Sequence, residues 1–178
     1  MTTPFPRLPA ALALAARPLP LTPISLVLGR LTRRLSLTHP VLRRRLGDNA
    51  ARRFLLDPVD LPVVLLLRPD PGTMTAHRRA RPPVHDARIA GPFSAFLALM
   101  HGAADGDALF FSRDLTVEGD TAAVLSLRNA MDDAELDLTE ALAALAGPLG
   151  RPLRRALGLA ERATGLALHR VDLAEVLG

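Results

Sequence analysis

The stretch LFFSRDLTVEGD, residues 109–120, decides how this sequence is interpreted. It places four ionisable side chains beside two adjacent phenylalanines, which fits either an active site or a strand followed by a turn. Alternation favours the strand, because apolar and polar side chains point to opposite sides: Leu109, Phe111, Leu115 and Val117 on one, Ser112, Asp114, Thr116 and Glu118 on the other. Arg113 would point to the same side as the apolar residues, so we expect a bulge or a strand end there. Asp120 or Thr121 then caps a helix, which gives the nearby carboxylates structural roles.

The segments on both sides of this strand are predicted to be helices with apolar faces. GPFSAFLALMHG, residues 91–102, predicts a short helix that opens at Pro92 and closes at Gly102. After Asp120, apolar residues recur at helical spacing over a longer segment. The residues on these two faces are Phe93, Phe96, Leu97 and Met100 in the first helix, and Val124, Leu127, Met131 and Ala134 in the second.

Earlier in the chain, the pattern predicts two helices. Apolar residues recur at helical spacing from Ile24 to Leu35, and Thr22 followed by Pro23 resembles an N-cap with proline at the first helical position. Pro40 predicts a break, and Gly47 predicts the end of the second helix.

Short strands are predicted to follow, because Pro-Asp, Asp-Pro-Gly and Pro-Pro breaks separate short apolar runs. These runs cover residues 52–58, 61–69, 73–80 and 85–91. The continuous VVLLL at 63–67 predicts burial on both faces, and the arginine-rich run at 73–81 predicts an edge strand. The order of helix, several strands, helix, strand and helix predicts an α+β fold.

Three regions are predicted along the chain. Residues 1–22 are a proline-rich lead-in, residues 23–138 a single domain, and residues 139–178 a C-terminal helical extension. Prolines and Arg17 divide the apolar N-terminal stretch into pieces shorter than the roughly 20 residues that span a bilayer, and it is a poor signal peptide. We therefore expect a cytoplasmic protein.

Composition excludes several chemistries. The 178 residues contain no cysteine, which excludes disulfides and thiolate ligation by this chain, and every basic residue is arginine, which excludes lysine Schiff-base chemistry. The formal net charge of +4 suits an anionic partner, either lipid headgroups or nucleic acid. Nucleic acid is the less favoured of the two, because the chain has no tyrosine or tryptophan to stack on bases.

No catalytic or metal-binding motif stands out. The carboxylates after the last apolar helix, from Asp132 to Asp137, are predicted to face solvent, and the five histidines show no metal-ligand spacing. Ser94 lacks the G-x-S-x-G turn that exposes a nucleophile, and the glycines match no phosphate-binding loop. We therefore expect no enzyme activity, no metal and no cofactor.

An apolar set remains in the helix, strand and helix around residues 109–120. It fits a solid core, or the wall of an apolar cavity that binds lipid, and periodicity alone does not separate the two because both need inward-facing side chains. Its members are Phe93, Phe96, Leu97, Met100, Phe110, Phe111, Leu115, Val117, Val124, Leu127 and Met131.

A resemblance separates these alternatives. Residues 84–131, with LALMHG and then LFFSRDLTVEGD, resemble the sterol-carrier-protein type lipid-binding domain. The similarity is greatest to its UbiT-type members, accessory factors of ubiquinone biosynthesis, which carry LFF-x-R-x-L-x-x-EGDT followed by N-x-MD-x-x-E. The matching residues are Leu109, Phe110, Phe111, Arg113, Leu115, Glu118, Gly119, Asp120, Thr121, Asn129, Met131, Asp132 and Glu135, and Leu21 to Pro23 match an N-terminal LTP.

The resemblance implies a twisted, mainly antiparallel sheet of about five strands, covered by helices over an apolar tunnel. It implies a non-enzymatic role in which the tunnel holds or presents a prenylated quinone precursor. UbiT-type proteins act in oxygen-independent hydroxylation, where partner hydroxylase proteins carry the iron–sulfur chemistry. Two alternatives stay open: a protein that docks on anionic membranes through arginine-rich helices, and an enzyme with polar groups inside the cavity.

Overall fold

The structure is a computed structural model that describes residues 7–9, 17–18, 20–96 and 115–134. The predicted C-terminal extension and residues 109–114 of the opening stretch therefore lie outside the described residues. The helices and strands are α1 (Leu21–Thr38), α2 (Pro40–Leu46), a 3-10 turn (Gly47–Ala51), β1 (Phe54–Pro58), β2 (Val63–Arg68), β3 (Thr73–Arg78), β4 (Ala87–Gly91), helical residues at 93–96, β5 (Thr116–Gly119) and α3 (Thr121–Ala134).

The five strands form one sheet in the order β3-β2-β1-β4-β5. Three of the four pairings are antiparallel, and β1 and β4 run parallel, with Leu56 opposite Ile89. Helices pack on this sheet, so the predicted α+β architecture with a mainly antiparallel five-stranded sheet is confirmed.

The first two helices follow the sequence signals closely. α1 begins at Leu21, two residues before the predicted start at Pro23, and it ends at Thr38, just before the predicted break at Pro40. Gly47 ends α2 with a positive φ of 50°, as its position after the last apolar residue predicts.

α1 lies along the edge strand β3. The backbone N–H of Ala76 donates to the Ser25 hydroxyl at 2.9 Å, so the helix satisfies a donor that the edge of the sheet leaves unpaired. The predicted edge position of the run 73–81 is confirmed.

The strand register defines the face that the helices cover. Leu56, Leu67, Met74 and Ile89 share this face, because Leu56 pairs with Ile89, Leu67 pairs with Met74, and Leu67 lies opposite Phe54, two residues before Leu56. The expectation that residues 63–67 are buried on both faces was wrong: only Val64 is fully buried and the other four are half-buried. The covered face of β2 reaches a cavity at Leu67, where open space replaces part of the packing.

The junction between β5 and α3 fixes the last described helix. Asp120 accepts a hydrogen bond from the Ala123 backbone N–H at 3.0 Å, which confirms it as the predicted N-cap. The Asp120 N–H donates to the Asp86 carbonyl at 3.1 Å, which ties the junction to the start of β4. α3 then buries Ala123, Val124, Leu127, Ala130 and Ala134, which include three of the four residues of the predicted face, and the fourth, Met131, is half-buried.

Candidate functional site: an apolar cavity between sheet and helices

A cavity of about 480 Å³ lies between the covered face of the sheet and the helices. Its volume falls in the range of about 300–1,000 Å³ that is typical of small-molecule sites. α1, α2, the β2–β3 turn, the sheet and α3 all contribute to the wall. The apolar lining residues are Leu35, Leu37, Leu42, Leu46, Ala50, Leu56, Leu67, Pro69, Pro71, Met74, Ile89, Phe96, Val124, Leu127 and Met131.

The inner end of the cavity is closed by buried apolar side chains. Ile89 of β4, Val124 of α3 and Leu46 of α2 are 2%, 1% and 4% exposed. They belong to the main core, which also includes Phe54 and Ala87. The cavity is therefore an unfilled part of the space between sheet and helices, and apolar cavities of this kind bind apolar molecules more readily than water.

The outer end opens where α1, α2 and the β2–β3 turn meet. Leu37 lines the cavity but is 75% exposed, and Arg33 and Arg43 line it from exposed positions on α1 and α2. Arg43 and Asp70 form an ion pair at 3.4 Å across this opening. The opening thus combines an exposed leucine with guanidinium groups.

Arg128 is the least exposed of the described charged residues along the wall. Its side chain is 13% exposed, and its Nε lies 3.1 Å from a carboxylate oxygen of Asp132, one turn further along α3. The described polar lining also includes Thr32, whose hydroxyl donates to the Leu28 carbonyl at 2.9 Å, and Ser36. The described part of the wall therefore combines apolar side chains with the guanidinium groups of Arg33, Arg43 and Arg128.

Comparison of the sequence with protein-family models gives a match that covers most of the described fold. Residues 34–132 match the model of the SCP-2 sterol transfer family. The chain belongs to this family. The match begins inside α1, and all described lining residues of the cavity except Thr32 and Arg33 lie within it.

Several solved structures are similar to this SCP-2 domain. A "UbiJ-SCP2 Ubiquinone synthesis protein" is 20% identical, with 68% of this chain and 96% of that chain covered and a TM-score of 0.49. Sterol carrier protein 2 from Yarrowia lipolytica, in its apo form, is 16% identical, with 63% and 89% covered and a TM-score of 0.43. Sterol carrier protein domain 2 of Helicoverpa armigera is 11% identical, with 57% and 84% covered and a TM-score of 0.40. No curated protein matches the chain significantly.

The SCP-2 domain brings together some of the residues that the sequence predicts for the lipid site. Phe96, Val124, Leu127 and Met131 line the cavity. Of the other described candidates, Leu115 is buried in the core, Val117 packs against it, and Phe93 is half-buried, but none of the three lines this cavity. The remaining candidates, Leu97, Met100, Phe110 and Phe111, lie outside the described residues.

Sequence reasoning missed the wall formed by α1, α2 and the first strands. Leu35 belongs to the predicted apolar stripe of α1, and Leu56 and Leu67 lie in predicted strands, so each carried a signal for an inward position. None carried a signal for lining open space, because core and cavity residues have the same periodicity.

Most polar clusters outside the cavity hold the structure together. Arg53 donates to both carboxylate oxygens of Asp86, at 3.0 and 2.9 Å, and its backbone N–H donates at 2.8 Å. These hydrogen bonds, with the arginine charge, hold the pKa of Asp86 well below its usual range. Asp57, 3% exposed, pairs with Arg79 and Arg88 on the other face of the sheet.

The described candidates for catalysis and metal binding do not converge on one site. His85 contacts the Pro83 carbonyl at 2.9 Å while Asp86 faces Arg53, so these neighbours form no catalytic pair. Asp133 forms an ion pair with Arg45 of α2. Among the described residues, no cluster of three histidines or carboxylates is suited to a metal ion, and no helix is both long and apolar enough to cross a bilayer.

Proposed function

We propose that this protein is a non-catalytic carrier that holds a lipid in the cavity and serves as an accessory factor of ubiquinone biosynthesis. The single observation that carries the proposal is the apolar cavity of about 480 Å³, closed at its inner end and open beside Leu37. The lipid is a prenylated quinone precursor, and the protein presents it to the hydroxylase proteins of the pathway. In that arrangement no cofactor is needed in this chain.

The energetics of such a site need no polar catalysis. Each CH₂ group that leaves water contributes about 0.8 kcal/mol, so a chain segment of ten such groups gains roughly 8 kcal/mol before the costs of association. The buried wall formed by Ile89, Val124 and Leu127 suits a prenyl chain, because it has no donor or acceptor that would be left unpaired.

The choice of pathway rests on the resemblance to UbiT-type proteins. Two of the matching residues, Gly119 and Asp120, build the β5–α3 junction, and Glu118 pairs with Arg88 at 2.8 Å. Those residues support the fold, so the pathway needs its own test.

Mass spectrometry of the purified protein tests the ligand. Native spectra and solvent extracts of the full chain from a ubiquinone-producing host should contain a prenylated phenol or a related precursor. Co-purification with hydroxylase proteins of the pathway would support the accessory role. A protein that is consistently empty and does not bind prenylated phenols added in solution would overturn the carrier proposal.

A pair of tryptophan variants tests the location. The chain has no tryptophan, so one introduced residue reports on its surroundings by fluorescence. Met131→Trp places the ring at the cavity wall, whereas Leu125→Trp places it on the same helix at a position that is 53% exposed and outside the cavity. Added prenylated phenol should change the tryptophan emission of Met131→Trp but not that of Leu125→Trp. Met131→Trp should also bind the phenol more weakly than the unmodified protein does, whereas Leu125→Trp should bind it equally well. Equal responses of the two variants would place the ligand elsewhere.

A second candidate function is docking on anionic membranes. It is favoured by the exposed apolar residues of α1, which are Leu26, Val27 and Leu37 at 55%, 46% and 75% exposure, and by the arginines beside them. Arginine and exposed leucine on one helix suit a surface with anionic headgroups and an apolar interior. In this function the protein binds the membrane through α1 and α2 without enclosing a lipid.

Vesicle flotation separates the two functions. Membrane docking predicts flotation with vesicles of phosphatidylserine and phosphatidylcholine, release at high salt, and loss of binding in Leu37→Gln. Extraction of lipid from vesicles into free protein would instead indicate a carrier. The outward-facing Leu125→Gln on α3 is the matched control and should leave flotation unchanged.

A further inference from the structure

A half-buried carboxylate in the turn between β1 and β2 joins two segments that lie far apart in the sequence. One oxygen of Asp60 accepts the backbone N–H of Leu8, near the N-terminus, at 2.9 Å. The other oxygen accepts the backbone N–H of Phe93, the first of the helical residues at 93–96, also at 2.9 Å. Charge-assisted hydrogen bonds of this kind are roughly twice as strong as neutral ones. Asp60 has no ion pair in the described part of the chain, so these two N–H groups stabilise its charge there.

The turn that carries Asp60 is itself held in place. The backbone N–H of Val59 donates to the Gly91 carbonyl at 2.8 Å, which ties the turn to the end of β4. The guanidinium of Arg79 donates to the Leu61 carbonyl at 2.7 Å on the other side of Asp60. The carboxylate therefore has a defined position, and a segment that docks on it causes little reorganisation of the turn.

The sequence around Leu8 is suited to docking as a stiff segment. Residues 4–9 read PFPRLP, so three of the six are prolines, which have no N–H to donate. Leu8 precedes Pro9, and a residue before proline is restricted to extended conformations. Such a segment loses little conformational entropy when it docks. Leu8 is half-buried, whereas its neighbours Arg7 and Pro9 are exposed, so Leu8 is the docked residue of residues 7–9.

A second contact holds the N-terminal region at the same end of the sheet. The guanidinium of Arg78 donates to the Arg17 carbonyl at 2.7 Å. Arg78 pairs with Val63, the first residue of β2 after the turn that carries Asp60. The two contacts of the N-terminal region, at Leu8 and at Arg17, therefore both lie where β1 ends and β2 begins.

The helical residues at 93–96 connect Asp60 to the cavity. Phe96 is 7% exposed and lines the cavity wall. It lies one turn after Phe93, whose N–H is bound to Asp60, and the Ala95 N–H donates to the Pro92 carbonyl at 3.0 Å within this turn. A change in the contacts of Asp60 therefore reaches a wall residue of the cavity within a single helical turn.

We propose that residues 7–9 are a strap that latches onto Asp60 and thereby holds the helical residues 93–96 in place at the cavity wall. When Leu8 leaves, Asp60 loses one of its two donors and part of its shielding from water, so its hold on the Phe93 N–H weakens. The strap thus slows the exchange of molecules between the cavity and solvent. This effect on exchange rests on the proposed carrier function, whereas the latch itself does not.

Hydrogen exchange of the Phe93 amide tests the latch in the full chain without any ligand. Leu8→Pro removes the donor that binds Asp60, and Leu8→Ala is the matched control that keeps the donor and shortens the side chain. We expect the Phe93 amide to exchange about tenfold faster in Leu8→Pro, the factor that a hydrogen bond to a charged group contributes, and to change less in Leu8→Ala. The amides of β1 are the internal reference and should exchange at unchanged rates. Equal exchange of the Phe93 amide in Leu8→Pro and the unmodified protein would overturn the latch.

A double variant tests whether the strap acts through Asp60. Asp60→Ala removes both acceptors, so it should speed the exchange of the Phe93 amide at least as much as Leu8→Pro does. Adding Leu8→Pro to Asp60→Ala should then have no further effect, because the acceptor for the strap is already absent. Additive effects would refute the role of Asp60. If Asp60→Ala does not fold, the comparison of Leu8→Pro with Leu8→Ala still decides the latch.

Stopped-flow release of the fluorescent probe N-phenylnaphthylamine tests the effect on the cavity. Leu8→Pro should release the probe severalfold faster than Leu8→Ala and the unmodified protein do, with little change in affinity, because the latch affects entry and release alike. Faster exchange of the Phe93 amide with unchanged probe release would refute the control of the cavity and leave the latch standing. Absence of probe binding by the unmodified protein would count against the carrier proposal, and hydrogen exchange would still decide the latch.

Discussion

At the turn from β5 into α3, a single residue requires the absence of a side chain. Gly119 has a positive φ of 81°, which L-residues with a Cβ rarely adopt. A Cβ there would overlap the Asp86 carbonyl oxygen and approach the Ala87 Cα to 3.3 Å. The neighbouring atoms are backbone, so they cannot move aside as a flexible side chain would.

Gly119→Ala should therefore destabilise the protein by about 1–3 kcal/mol, the usual range for enforced backbone strain. Urea unfolding measures the change. Gly29→Ala on α1 is the control, because its nearest atom, the Met74 carbonyl oxygen, would lie 3.7 Å from the new Cβ and alanine favours a helix. Equal stability of Gly119→Ala and the unmodified protein would contradict the strained turn.

A second prediction at this scale concerns acid. The hydrogen bonds from Arg53 hold the pKa of Asp86 below the value of about 3.9 expected in the unfolded chain. The unfolded state therefore takes up the proton first, so the stabilising contribution of Asp86 is present at neutral pH and is lost as the pH falls below about 4.

Asp86→Asn should lower the free energy of unfolding at neutral pH, and its difference from the unmodified protein should shrink in acid. Unfolding curves recorded from about pH 7 to pH 3 check this prediction. Asp48→Asn, at an exposed position in the 3-10 turn, is the control. A difference for Asp86→Asn that is independent of pH would show that the pair with Arg53 contributes through packing and not through charge.

At the scale of secondary-structure elements, the stability of α3 depends on the contacts of its first turn. The Asp120 carboxylate accepts from the Ala123 N–H and lies 3.5 Å from the Arg52 guanidinium, so it both caps the helix and links it to the segment before β1. The helix in turn supplies Val124, Leu127, Arg128 and Met131 to the cavity wall. Loss of the cap therefore affects the site as well as the helix.

Asp120→Ala should cost about 1 kcal/mol of stability, the typical contribution of an N-cap. Asp120→Asn keeps an oxygen that can accept the Ala123 hydrogen bond and removes the charge near Arg52, so it should lie between alanine and the unmodified protein. Thermal unfolding followed by circular dichroism ranks the three. Identical melting of Asp120→Ala and Asp120→Asn would assign the whole effect to charge instead of capping.

For the molecule as a whole, the cavity couples ligand binding to stability. A ligand that binds only the folded state adds about 2.7 kcal/mol at a concentration of one hundred times its dissociation constant. The melting temperature of a chain of this size should then rise by roughly 5–10 °C. Differential scanning calorimetry with a prenylated phenol measures the shift, which should be smaller in Met131→Trp. A rise that is equal in Met131→Trp would show that the stabilising ligand binds outside the cavity.

Much of the fold was predictable because its signals are local. Pro40 and Gly47 mark helix boundaries through their backbone restrictions, and the alternation in Thr116–Gly119 and the spacing of Val124 and Leu127 mark a strand and a helix. The sequence also limited the N-cap of α3 to Asp120 or Thr121, and the structure identifies Asp120. The start of α1 was misplaced by two residues, since the first turn of a helix is only weakly specified by a proline.

The candidate site was less predictable. The residues near the recognised motif were identified as inward-facing, but Leu115 and Leu127 have the same kind of sequence signal, and only Leu127 lines the cavity. Arg128 has no feature in the sequence that separates it from the arginines on solvent-facing helix surfaces.

The sequence by itself determined the α+β class, the order of the described helices and strands, and part of the described inward-facing set, such as Phe96, Leu115, Val124 and Leu127, because periodicity and turn residues act over a few positions. Only the tertiary structure decided which inward faces close into a core and which enclose a cavity, and that Arg128 lies at its wall. A cavity depends on the distance between elements that lie far apart in the sequence. Each wall element, α1, α2, the sheet and α3, has the pattern of an ordinary core-facing element, so the pattern does not report that distance.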